Sequence, residues 1–254
     1  MTFSQSELAE VLKNPASYAT PPKSIKLRET DSSYLFEGDE WLYKIKKEGN
    51  EFPTLAVKEA YCHEECRLSQ RFNPNWTSNV LTILEQNGNI KIGGTEGEPV
   101  EYALQMVKLP EKWLLSGLLE NNAVSKINMT NIAGRISEIH SINPAKDKAA
   151  ESGKAESFRA LCDDMLFQMK RYFDASMTQP ILDMIRHPLE KFIDQNKRLF
   201  SKRHQKARIV HGHGAFLPEH IFVSDTVVHF ISPQEVHRKL ADLDVANDVS
   251  SLTV

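Results

Sequence analysis

Pro110 separates two stretches of different character, and their order constrains the fold more than any single motif. Before it come short β-type runs at 24–30, 33–37 and 40–47, with Gly38-Asp39 as the turn between the last two. A helical segment follows over 54–72, with Val57, Ala60, Tyr61, Glu64 and Leu68 at helical spacing and Asn73-Pro74-Asn75 as its stop. Runs 80–84 and 90–92 flank Asn87-Gly88, a hairpin signal, and 100–109 reads as one more strand. After Pro110 the segments 113–120, 125–140, 158–176 and 181–203 read as helices, 143–154 as a polar connector, and short strands return from Ile209. Ser4 and Glu7 form a capping-box pattern that opens a short helix at the start. Strands with one inserted helix, followed by helices, predict an α+β chain with a strand-rich lobe at 1–109 and a helical lobe at 110–254.

Composition narrows the function classes. A formal net charge of -3 gives no electrostatic reason to expect nucleic acid or an anionic membrane as partner. No apolar run approaches the ~18 residues of a membrane span, and the N-terminus has no signal-peptide pattern. Three cysteines cannot build a disulfide framework, so a cytoplasmic protein is expected.

Two groups of residues carry chemistry. The strand over 40–47 offers Lys44 first and Lys46 second as cations, and the next helix offers Glu64 first and Glu65 second as a carboxylate to hold one of them. Such a lysine meets nucleotide phosphates in phosphoryl transfer. Charges on a strand and a helix are more commonly a solvated face. The second group is the loop His213-Gly214-Ala215-Phe216-Leu217-Pro218-Glu219-His220. His211, His213 and His220 are metal-ligand residue types, and a histidine-metal site is an alternative reading of them. Cys62 and Cys66, one turn apart, read as a buried thiol pair, and Met165, Met169 and Phe173 as core. No Gly-Lys-Ser/Thr phosphate loop occurs.

Several segments, in order, resemble aminoglycoside phosphotransferase-like proteins of the protein kinase-like fold, in a bacterial branch often fused to a P-loop kinase domain. They are Trp41-Leu42-Tyr43-Lys44-Ile45-Lys46-Lys47, Tyr61 to Leu68, Val100 to Met106, Asn131 to His140, His213 to Phe222 and Leu243 to Asp248. The resemblance implies a two-lobe kinase-like fold. It also implies a C-terminal lobe trimmed relative to family members, which continue with further helices. Lys44, Glu64, Ser32 and Ser33 become the nucleotide-binding positions.

The departures from that family fall on its chemistry. The loop there reads His-Gly-Asp, and the aspartate accepts the substrate proton; here the position is Ala215. Leu217 replaces an Arg or His, and His220 stands at the metal-binding asparagine of typical kinases. The second acidic residue, a metal ligand, aligns with Ser232. The resemblance therefore implies a pseudokinase with weak or no phosphoryl transfer, binding ATP or a small molecule, or a protein partner. An active phosphotransferase, needing Mg with its ATP, would have to recruit Glu235, Asp242 or Asp244 instead.

Overall fold

The computed structural model describes residues 4–49, 54–173, 176–231 and 242–252. The chain is α+β and divides into two compact units, residues 1–123 with 229–233, and residues 124–228 with 234–254. The sheet ends near Leu109, but the first unit runs on to Ala123 and takes in a helix at Leu115–Glu120.

The first unit is built on a six-stranded antiparallel sheet in the order β1-β2-β3-β6-β4-β5. Its strands are β1 (Lys26–Glu29), β2 (Ser33–Glu37), β3 (Trp41–Lys46), β4 (Ser78–Gln86), β5 (Asn89–Ile92) and β6 (Glu98–Val107). β2 meets β3 in a register that sets Phe36 opposite Tyr43 and Ser33 opposite Lys46. The β4–β5 turn carries Asn87 at φ 52° and Gly88 at φ 81°, the left-handed pair that a two-residue hairpin needs. Leu12, Tyr18, Phe36, Ile45, Ile83 and Ile92 form the main core on this sheet. Helix α1 (Gln5–Val11) contributes to it and opens with the capping box between Ser4 and Glu7.

Helix α2 (Leu55–Phe72) is inserted between β3 and β4 and capped by Thr54, whose hydroxyl accepts from the Val57 amide. It ends at Asn73, which is buried and bonds Phe230 through both backbone groups: Asn73 Nδ2 donates to the Phe230 carbonyl at 2.6 Å, and the Phe230 amide donates to Asn73 Oδ1 at 2.9 Å. One amide side chain thus satisfies both backbone groups of a fully buried phenylalanine.

In the second unit, helix α4 (Lys126–Ile142) begins at a capping box formed by Ser125 and Asn128; the helix at Leu115–Glu120 is α3. The segment expected as a polar connector is ordered instead. The Ala145 amide donates to the Ile209 carbonyl, and the chain then forms α5 (Asp147–Ala150) and a 3-10 turn (Glu151–Gly153). Gly153 has no side chain because Ile209 lies against it: a Cβ would stand 2.3 Å from Ile209 Cδ1. Helix α6 (Ala155–Met169) packs on α7 (Gln179–Gln195) through Cys162, Leu189 and Ile193. The single helix expected over 181–203 is two, α7 and α8 (Lys197–Gln205). The break is at Asn196, whose side chain donates back to the Phe192 carbonyl and takes the place of a continuing helical bond. The Met165–Phe173 stripe is also not core throughout, since Met165 is half exposed. Strand β7 (Ile209–His211) pairs antiparallel with β10 (Asp242–Asp244), which leads into α9 (Val245–Ser250). Between them in sequence come β8 (Ile221–Val223) and β9 (Val228–Phe230), whose last two residues belong to the first unit.

Candidate functional site

The sheet-side candidate site is built on one stripe of α2. Lys58, Cys62, Glu65, Ser69 and Phe72 recur at spacings of four and three residues, and all are buried. The stripe drawn from sequence through Val57, Tyr61 and Glu64 is rotated from this one by about 100°, one residue of helix. That rotation decides the partner of Lys44. Lys44 Nζ meets the Glu65 carboxylate, not that of Glu64. Glu64 turns outward and takes a two-pronged contact from Arg67, at 2.6 and 2.7 Å. Lys46, the second lysine, places its ammonium 5.2 Å from the centre of the Tyr61 ring.

A second ion pair lies on the same stripe with its polarity reversed. Lys58 of α2 meets Glu101 of β6. Gln5 of α1 donates to Glu101 at 3.1 Å and to the Lys46 carbonyl at 2.6 Å. The Tyr102 amide donates to the other Glu101 oxygen at 3.0 Å. Glu101 and its partners were missed in the sequence, where nothing local distinguishes a strand glutamate that will be buried. Between the pairs sits Cys62. Burial pushes its thiol up to about 12, and the carboxylates of Glu65 and Glu101 add to the rise. Cys62 is buried and Cys66 only partly so, its Sγ 3.4 Å from the Ser78 carbonyl.

The turn before β2 is closed upon itself. Ser33 donates its amide to Thr30 Oγ1 at 3.0 Å, its carbonyl accepts from the Thr30 amide at 2.9 Å, and the residue is buried. Ser32 is exposed and its carbonyl accepts from the Lys47 amide. Of the two serines expected to meet phosphate, Ser32 is therefore the one that solvent reaches.

The second candidate is the loop after β7. Asp248, buried in α9, accepts from the His213 amide at 3.1 Å and the Gly214 amide at 2.6 Å, and its Oδ2 lies 2.8 Å from His140 Nε2. Gly212 permits this approach, since a Cβ there would stand 2.6 Å from Asp248 Oδ2. Gly214, at φ 76°, turns the chain. His213 is fully buried and stacks on Phe216 with ring centres 4.7 Å apart. Ala215 is buried, and its carbonyl accepts from the Leu217 amide at 2.8 Å and from His220 Nδ1 at 3.0 Å. A carbonyl only accepts, so His220 carries its proton on Nδ1.

The three histidines of the metal alternative each have other neighbours in this geometry. His211 Nδ1 is engaged by Asp242, His213 is stacked inside, and His220 is turned to a backbone carbonyl. Among the described residues no three His, Cys, Asp or Glu side chains are grouped so as to hold a metal ion. The substitute acids are engaged as well. Asp242 pairs with His211; Asp244 is gripped by Arg203 through two nitrogens and caps α9 at the Ala246 amide. Ser232 and Glu235 lie outside the described residues.

No family model matches the chain. Proteins of Mycobacterium tuberculosis and of Mycobacterium bovis, each described as uncharacterized, are similar to it: they are 20% identical over 234 residues, which is 91% of this chain and 45% of theirs. The chain thus spans less than half the length of the curated relatives it matches. No helix among the described residues is long and apolar enough to cross a membrane.

Proposed function

We propose that the chain is a degenerate member of the kinase-like fold, a module that binds a nucleotide or a related small molecule without transferring its phosphoryl group. The observation that carries this reading is the loop at Ala215. Its backbone is held by Asp248, yet the residue at the position of a catalytic base offers only a buried methyl. A methyl accepts no proton, and loss of a positioned base commonly costs roughly two to four powers of ten in rate. Buried Asp248 and half-buried Asp244 do not replace it, since Asp248 is occupied by two amides and Asp244 by Arg203.

The Lys44–Glu65 pair supports retention of binding. A lysine fixed on a strand by a carboxylate presents an oriented ammonium to a phosphate chain, with Ser32 as a further exposed donor. Magnesium would enter only with ATP, through its phosphates.

The test is thermal unfolding with ATP or ADP, each with and without magnesium, beside a phosphate-release assay. Stabilisation by nucleotide, reduced in Lys44→Ala and unaccompanied by turnover, is expected. Magnesium-dependent turnover would overturn the reading in favour of an active transferase, and no nucleotide effect would remove the binding role.

A further inference from the structure

Helix α7 carries two apolar stripes. Leu182, Leu189 and Ile193 face inward. Ile181, Ile185, Pro188 and Phe192 recur at spacings of four, three and four residues on another face, and of these Ile181, Ile185 and Phe192 are 42%, 40% and 48% exposed. Met184 and, on α8, Leu199 are exposed as well. The next helix carries a row of cations. Arg198, Lys202 and Lys206 follow one another at four-residue spacing along α8 and into its cap, all exposed, and none meets a carboxylate among the described residues. Neighbouring Lys197 and Arg203 differ, being paired with Asp194 and Asp244. Like charges one turn apart repel each other, although Lys202 and Lys206, in the last turn and at the cap, also meet the negative end of the helix dipole. Residues 186–208 hold eight Lys and Arg against two Asp and Glu, in a chain whose formal charge is -3. The small overall charge hides this concentration, which is why the whole-chain figure argued against an anionic surface.

We propose that the α7–α8 surface docks peripherally on an anionic lipid bilayer, the exposed apolar side chains entering the headgroup boundary and the cationic row meeting lipid phosphates. Charge complementarity selects a negative partner. The two lysines of the row favour lipid over protein. Lysine is depleted at protein interfaces, whereas its aliphatic stem lies along apolar surface while the ammonium reaches a headgroup. A two-fold dimer through this patch would set the cationic row against itself. The inference stands independently of the nucleotide-binding reading.

The test is cosedimentation of the full chain with vesicles of phosphatidylglycerol and phosphatidylcholine, against vesicles of phosphatidylcholine alone. Binding to the anionic vesicles only, weakened by salt, is expected. Each cation near such a surface is worth roughly fivefold in partition, so R198E/K202E/K206E should lower binding by about a hundredfold or more. Phe192→Ser, on an exposed position and checked for fold by circular dichroism, should lower it by about tenfold. Equal binding to neutral vesicles, no binding, or an unaffected triple variant would overturn the proposal. Binding of an acidic Leu/Glu amphipathic peptide without vesicle binding would overturn it in favour of a protein partner.

Discussion

Lys44 of β3 and Glu65 of α2 close an ion pair whose side chains keep only 12% and 9% of their exposure. Removing one member leaves the other buried and uncompensated. Glu65→Gln should therefore cost about 3–5 kcal/mol of stability. Glu64→Gln, which weakens the surface contact with half-exposed Arg67, should cost far less, about 0.5 kcal/mol. Urea unfolding of the two variants separates these outcomes.

Asp248→Asn is nearly isosteric but puts an amide NH₂ where the carboxylate now accepts from Gly214 or from His213 and His140. A loss of about 2–4 kcal/mol is expected, with local loosening around His213 and Gly214. Hydrogen exchange at the Gly214 amide, compared between variant and parent, reads it directly.

Cys62 supplies a pH dependence. Its thiol titrates near 9.0 when unfolded and is held up to about 12 in the fold. The folded state keeps its proton longer, so this contribution is fully present below pH 9.0 and is lost as pH rises toward 12. Alkaline unfolding should move to higher pH in Cys62→Ala relative to what its neutral-pH stability predicts. At pH 8 a thiol reagent should modify Cys62 only after unfolding.

Two glycines separate conformation from crowding. Gly88 has open space around it, so Gly88→Ala costs only the left-handed backbone, about 1 kcal/mol. At Gly212 a Cβ meets the clamped Asp248 carboxylate, so Gly212→Ala should cost about 2–4 kcal/mol, more than Gly88→Ala, when the two variants are compared by calorimetry.

What the sequence made legible was local. Ser33–Glu37, the helix over 54–72, the Asn87-Gly88 turn and the Ser4 capping box are set by neighbours within a few residues, and they stand where the pattern put them. What it hid was settled at long range. Which of Glu64 and Glu65 meets Lys44 depends on the rotation of α2, fixed by packing on the sheet. The break at Asn196 competes against a helical pattern that continues through it. The Asp248 clamp joins residues 34 and 35 positions apart, and no short motif announces it.

The two buried pairs of α2 point in opposite directions: the helix gives a cation to β6 at Lys58 and an anion to β3 at Glu65. Seven residues, about 10 Å of helix, separate them. Sliding α2 along the sheet by that distance would carry one charge toward its own sign, as a key cut for one depth jams at another. The arrangement indexes the helix to the sheet lengthwise, which apolar packing alone would leave free to slip. It also means that exchanging both signs at one pair alone, Lys44→Glu with Glu65→Lys for instance, would erase that index while keeping both ion pairs nominally matched.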